Sequence, residues 1–425
     1  MTPTSTDPTA QPDAAERAAA ASCRSCGADG LVPVLDLGLQ PLANRLRPTQ
    51  ELDDEEPRFP LDVAACPECS LVQLTYSVPP EEMFSDYPYF SSVSPSLVAH
   101  AKEIALRKVA DLELGPDDLA MEIASNDGYL LQHYRDAGVR VLGVDPARNI
   151  AAVAEERGIP TRCAFFGREV AADLVAEGHR PAVVHANNVM AHVPELNSFV
   201  AGIATLLGDH GRLVTESPYL KELLDHVEFD TIYHEHLCYY SLTALDRLFA
   251  RHGLVIEDVE QLAIHGGTLR MTVGSEAVCE RGPAVLAMLE EEQAWGVDDP
   301  STYAAFVERV QQLGRDLRAL IDSLLADGAC VVAYGASAKG STLLNTFGIG
   351  RERLKWIADA SPHKQGLHAP GTALPIVGPE RLIADKPEYV LLLAWNFADE
   401  ILRQQQAYRD LGGRFIVPVP APEIV

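Results

Sequence analysis

The chain has 425 residues, 47% of them hydrophobic, with 34 Lys+Arg against 61 Asp+Glu and a formal charge of -27. That length and apolar content fill more than one core, so two or three domains are expected. The acidic excess excludes broad binding to a polyanion such as DNA or RNA, which needs a basic surface, and leaves any nucleotide ligand to a local site.

Met1 to Ala20 is rich in Thr, Pro and Ala and has neither a basic start nor an apolar run. It reads as a disordered tail, and no signal peptide is expected. Nowhere does an uncharged apolar stretch reach the roughly 18 residues of a membrane helix, so no membrane partner and a cytoplasmic location are expected.

Cys23-Arg-Ser-Cys26 and Cys66-Pro-Glu-Cys69 form two C-x2-C knuckles. Together they offer the four soft ligands that tetrahedral zinc prefers. With Cys23, Cys26, Cys66 and Cys69 all engaged, no position is left for water or substrate, so the metal reads as structural in a zinc-binding domain over 21–90. Two unrelated thiol pairs or an iron–sulfur cluster are the other readings, and nothing else points to redox work. Cys163, Cys238, Cys279 and Cys330 are dispersed and read as small core residues.

From Leu119 the pattern alternates strand and helix: an apolar run to Ala124, a helical stretch over Gly128 to Ala137, then Val141 to Val144 closed by Asp145. Asp145 is placed to accept from both ribose hydroxyls of a nucleoside. The turn Glu122-Ile-Ala-Ser-Asn-Asp-Gly128 is poor in glycine, which speaks against a pyrophosphate cradle. Cys163-Ala-Phe-Phe166 follows, and Ala182 to Val193 and Arg212 to Ser217 read as a fourth and a fifth strand with their loops. Ser241 to Gly253 has an N-cap serine, an apolar stripe and a terminal glycine, the marks of a helix. Leu254 to Val259 and Thr268 to Val273 supply the last two of seven strands. This order resembles the class I methyltransferases, which implies a Rossmann-like domain over 91–278 that binds S-adenosylmethionine. The residues it implies for the cofactor are Glu122, Ala124, Asn126, Gly128, Asp145, Pro146, Phe165, Phe166, Asn187 and Asn188.

Thr302 to Ala326 is a long helical pattern leading into Cys330-Val-Val-Ala-Tyr-Gly-Ala-Ser-Ala-Lys-Gly-Ser-Thr342, a strand, a small-residue loop and a helix start. Its backbone N–H groups suit an anion, with Lys339 as a point charge, although the Walker A spacing is absent. Lys355 to Asp359 and Tyr389 to Asn396 add strands, so 279–425, with a helical connection over 300–327, reads as a second doubly wound α/β domain. Alone, that domain is also consistent with an NAD-dependent oxidoreductase, with Asp359 as the nearest acidic candidate for the ribose. Plain helix capping is the bland reading of the loop, and a non-catalytic zinc-bearing scaffold is the bland reading of the chain.

Between the fifth strand and the capped helix lies Phe229-Asp-Thr-Ile-Tyr-His-Glu-His-Leu-Cys-Tyr-Tyr240, polar and aromatic, where ligands bind at the edge of such sheets. A surface loop with an incidental His-Glu-His is the alternative; the metalloprotease spacing H-E-x-x-H is absent. Several motifs then follow in order: the two knuckles, Asp-Tyr-Pro-Tyr-Phe-Ser-Ser (86–92), Glu-Ile-Ala-Ser-Asn-Asp-Gly (122–128), Asn-Asn-Val-Met-Ala-His-Val (187–193), Tyr-His-Glu-His (233–236), Gly-Gly-Thr-Leu-Arg (266–270) and Tyr-Gly-Ala-Ser-Ala-Lys-Gly (334–340). From Cys23 onward the chain resembles the deoxysugar C-methyltransferases, which act on nucleotide-linked 4-keto-6-deoxyhexoses.

The resemblance implies methylation at C3 of a (d)TDP-linked 4-keto sugar through an enolate, with attack at C5 as the alternative, in deoxysugar biosynthesis for a natural product. Tyr87, His192, Tyr233, Glu235 and His236 are the implied catalytic residues. Tyr89, Ser91, Ser337, Lys339 and Ser341 are the candidates for holding the sugar nucleotide. A hydrogen beside a ketone is weakly acidic, so a base must remove it while donors stabilise the enolate. His236 is the expected base, oriented by Glu235 in a His–carboxylate pair. His192 and Tyr233 would face the enolate oxygen, and Tyr87 would close the pocket. The sequence leaves the oligomeric state open, a monomer included.

Overall fold

The computed structural model describes residues 13–79, 83, 90–263 and 266–425. Next to the four cysteines, β1 (Val32–Pro41), β2 (Arg58–Ala65) and β3 (Val72–Leu74) pair antiparallel. The expected tail is corrected in part, because Ala14–Ala20 is a helix. Asp13 and Glu16 cap it reciprocally, Ala18 is buried and Arg17 pairs with Asp62 at 2.7 Å. Two turns of helix have no strong apolar pattern of their own, and tertiary contact holds them instead.

The central unit contains β4 (Leu119–Ile123), β5 (Arg140–Val144), β6 (Thr161–Arg162), β7 (Val183–His185) and β8 (Arg212–Pro218). Then come β9 (Cys238–Tyr239), β10 (Leu254–Leu262) and β11 (Thr268–Ser275). Seven strands lie in the order β10-β11-β8-β7-β4-β5-β6, parallel except for β11, which runs against both its neighbours. β4 is buried along its whole length because helices cover both faces of a parallel sheet. The chain moves outward from β4 to β6 and returns to β7 on the other side, opening a crevice at the strand ends between β4 and β7. β9 leaves this sheet and becomes the fourth strand of the cysteine module's sheet, beside β3.

Helices Pro283–Trp295 and Ala304–Ala326 lead into the third unit. There β12 (Val331–Tyr334), β13 (Ile357–Ala358), β14 (Ile376–Val377), β15 (Tyr389–Leu392), β16 (Arg414–Val417) and β17 (Glu423–Ile424) form a sheet ordered β14-β13-β12-β15-β16-β17. Its switch point lies between β12 and β15. The two crevices share one construction. Asp145 accepts from Asn126 N and Ala147 N, both at 2.9 Å, and Asp359 accepts from Ala336 N and Ser361 N, both at 2.8 Å. The turn Phe229–Thr231 packs on the helix Ala338–Phe347, with the Phe229 and Phe347 rings 4.8 Å apart, so the segment that begins at Phe229 lies between the two units. No helix among the described residues is long and apolar enough to cross a membrane.

Candidate active site

The four thiols come together. Sγ of Cys23 lies 3.5 Å from that of Cys69, Sγ of Cys26 lies 3.5 Å from that of Cys66, and all four fall within 4.8 Å of one another. A tetrahedron with Zn–S bonds of about 2.3 Å has edges of about 3.8 Å, so the cluster fits the ion. Cys23, Cys66 and Cys69 are buried. Of the dispersed cysteines, Cys238 and Cys279 are buried as expected, whereas Cys163 is exposed beside the Pro146 carbonyl and is not a core residue.

At the β4 crevice the backbone turns sharply: Ala124, Asn126 and Gly128 all have positive φ, at 57°, 49° and 80°. At Gly128 a Cβ would come within 2.8 Å of Ile159, which excludes a side chain there. Asp145 is 5% exposed and gripped by two backbone N–H groups, leaving lone pairs for ribose hydroxyls. Burial raises its carboxyl, and those two hydrogen bonds pull it back down. Glu122 is pushed well above the usual carboxylate range by burial first and then by the charge of Asp145. Three buried oxygens, Glu122 Oε2, Ser125 Oγ and Asn187 Oδ1, have no hydrogen-bond partner, as expected of a crevice shaped for a polar ligand. Asn188, at φ 53°, donates its N–H to the Glu216 carbonyl. Of the two phenylalanines expected to hold the cofactor, Phe165 is 43% exposed, while Phe166 stacks edge-on against Phe199 at 5.3 Å.

Tyr87 and Tyr89 lie outside the described residues. The other expected catalytic side chains converge. His236 Nδ1 donates to the Thr231 carbonyl at 2.8 Å, which leaves Nε2 as the basic nitrogen, 2.9 Å from the Tyr233 hydroxyl. The Tyr233 and His236 rings lie 4.1 Å apart, and the His192 ring stands 4.9 Å from His236. Burial first, then His192, and also the charge of Lys339, hold His236 well below its ordinary pKa, so it rests neutral. Burial lowers His192 to about 4.

One expectation is corrected. Glu235 does not pair with His236, because the Thr231 carbonyl takes Nδ1 and the Glu235 carboxylate accepts from Asn44 Nδ2 at 2.6 Å. A backbone carbonyl is as good an orienting acceptor as a carboxylate, and sequence spacing does not distinguish them.

Across the interface, Lys339 Nζ lies 3.7 Å from Glu228 and 4.6 Å from the Trp395 ring centre, and Trp395 Nε1 donates to Asp230 at 2.7 Å. Ser337 caps its helix by accepting from Gly340 N, Ser341 is buried beside Asn345, and Ser91 N donates to Asn126 Oδ1. Sequence reasoning missed Asn44, Glu228, Asp230 and Trp395. It also missed the Glu216 carboxylate, which is held by Arg270 at 2.8 Å and His100 at 2.9 Å. The Gly-Gly-Thr-Leu-Arg motif was the available signal: Arg270 anchors Glu216, and a Cβ on Gly266 would sit 2.3 Å from Glu228.

Residues 23–84 match a zinc binding domain family, 99–259 a methyltransferase domain family and 263–420 the C-methyltransferase C-terminal domain family. The C-methyltransferase NovU of Streptomyces niveus is 38% identical over 404 residues, spanning 95% of this chain and 96% of the relative. The chain belongs to the C-methyltransferase family. Slighter likenesses run to solved structures. One is the magnesium protoporphyrin IX methyltransferase of Synechocystis with bound SAM, at 14% identity and TM-score 0.32 over 42% of this chain and 79% of that one. Another is a Haloferax volcanii methyltransferase in complex with its activator Trm112, at 15% identity and TM-score 0.34 over 42% and 92%. This C-methyltransferase uses S-adenosylmethionine and holds zinc in its cysteine module.

Proposed function

We propose that the enzyme methylates C3 of a nucleotide-linked 4-keto-6-deoxyhexose, with His236 as the base. The observation that carries this reading is the orientation of His236: a partly buried, neutral imidazole whose Nδ1–H is tied to Thr231 and whose Nε2 faces Tyr233, between the two crevices. His236 Nε2 takes the proton from C3, and the C–H electron pair becomes the C3–C4 double bond of an enolate whose charge rests on the C4 oxygen. His192 and Tyr233, whose rings lie 4.9 and 4.1 Å from that of His236, are the donors assigned to that oxygen. Bound S-adenosylmethionine supplies an electrophilic methyl group, held by Asp145 and the turn over 122–128. Burial makes the imidazolium costly, so His236 gives its proton up readily once the new C–C bond has formed. Ser337, Ser341 and Lys339 flank the second crevice, where a helix N-terminus suits a diphosphate.

Proton NMR of the keto sugar in heavy water tests the base. The wild type should exchange the C3 hydrogen once S-adenosylhomocysteine has filled the cofactor crevice. His236→Asn should abolish both exchange and methylation with both ligands still bound, and His192→Asn should slow both less completely. Full exchange by the His236 variant would move the base to Tyr233. Exchange at C5 instead of C3 would relocate the reacting carbon.

A further inference from the structure

The cysteine module reaches into the catalytic segment in several places. Leu74 N donates to the Leu237 carbonyl at 2.9 Å, and β3 pairs with β9 immediately beyond. His234 Nε2 meets the Pro60 carbonyl at 3.2 Å, with its ring edge-on to Phe59. The contact closest to the chemistry is Asn44, in the loop that follows β1, whose amide donates to Glu235 Oε1 at 2.6 Å. Glu235 is 7% exposed, and its backbone receives the hydrogen bond of His192.

We propose that Asn44 is a positioning residue supplied by the zinc module: it holds Glu235 as a carboxylate turned away from His236, with its second oxygen free for a polar substituent of the substrate beside the reacting carbon. This rests on the catalytic reading above and adds a role for Glu235 other than orienting the base. A carboxylate in so dry a position needs a donor to stay charged. Burial pushes Glu235 up to about 7, and the Asn44 hydrogen bond opposes that rise. The titratable groups around it are His192, His234 and His236, each held neutral by burial, with the charge of Lys339 acting on His236 rather than on Glu235. Asn44 is therefore the polar contact that favours the ionised form.

The test is the pH profile of kcat/KM for Asn44→Leu, Asn44→Asp, Glu235→Gln and the Asn44→Leu/Glu235→Gln double variant, with zinc content, melting temperature and S-adenosylmethionine affinity measured on each. Raising a carboxylate's pKa moves the acid limb of activity to higher pH, and a rise of one unit from 7 cuts the ionised fraction at pH 7 about fivefold. The limb should move up in Asn44→Leu and further in Asn44→Asp, where a second negative charge faces Glu235. Zinc, stability and cofactor affinity should hold, and the double variant should be no slower than Glu235→Gln alone. An unmoved acid limb in both Asn44 variants, or losses that add in the double variant, would overturn the role of Asn44. A fully active Glu235→Gln would also overturn it while leaving the base assignment intact, since only the His236 exchange experiment bears on that.

Discussion

Asp145 and His192 show how single side chains are set by backbone and burial. Asp145 is held by two backbone N–H groups, so its carboxylate is pre-oriented for the ribose that the proposed cofactor reading gives it. Asp145→Ala should weaken S-adenosylmethionine binding by about 1.5–3 kcal/mol, the usual worth of hydrogen bonds to a charged acceptor. Unchanged affinity by calorimetry would show that the crevice is used otherwise. His192 carries a pH signature. Its folded pKa is about 4 and its unfolded pKa about 6.5, so between those values the unfolded chain binds the proton that the folded chain refuses. Its stabilising contribution is thus complete above pH 6.5 and is lost as pH falls toward 4, by up to about 3 kcal/mol. Denaturant melts of the wild type against His192→Asn should show the wild-type advantage growing from pH 4 to 6.5 and flat above. An advantage independent of pH would mean that His192 titrates alike in the folded and the unfolded chain.

At the scale of elements, β9 ties the cysteine module to the segment that carries the proposed base. The segment Tyr233 to Cys238 leaves the methyltransferase sheet and is stitched to β3, which lies only a few residues from the Cys66 knuckle. Cys66→Ser should lose zinc by elemental analysis, lower the melting temperature and speed amide exchange at Leu74, whose N–H bonds to Leu237. S-adenosylmethionine affinity should change little, because that crevice stands on β4, β5 and β7. A zinc-free variant with wild-type stability and exchange would sink the structural role.

In the whole molecule, the two doubly wound units meet at the Phe229–Phe347 ring contact and at polar contacts around Glu228, Asp230, Lys339 and Trp395. Asp230 is fully buried, and burial raises its carboxyl, so the indole N–H is a donor it cannot easily replace. Trp395→Phe keeps an aromatic ring under Lys339 but removes that donor, and should cost roughly 1–3 kcal/mol. Because the lost contact spans the interface, calorimetry should show the melting transition broaden or split as the third unit loosens from the second. A single transition at the wild-type temperature would mean that Asp230 contributes nothing to docking.

What the sequence determined by itself was local. The Cys-x2-Cys knuckles, the apolar runs ending in Asp145, the capped helix after Ser241 and the Tyr-His-Glu-His run over 233–236 each arise from residues close in the chain, where spacing dictates geometry. The order of elements was enough to place seven strands in one sheet and a second α/β unit after it. Only the tertiary structure decided that Glu235 faces Asn44 rather than His236, that the Thr231 carbonyl orients the His236 ring, that β9 belongs to the cysteine module and that Asp13 to Ala20 is docked. Each of these joins residues distant in the chain or turns on which of several possible acceptors a donor meets. Periodicity and spacing carry no record of which acceptor is nearest until the chain has folded.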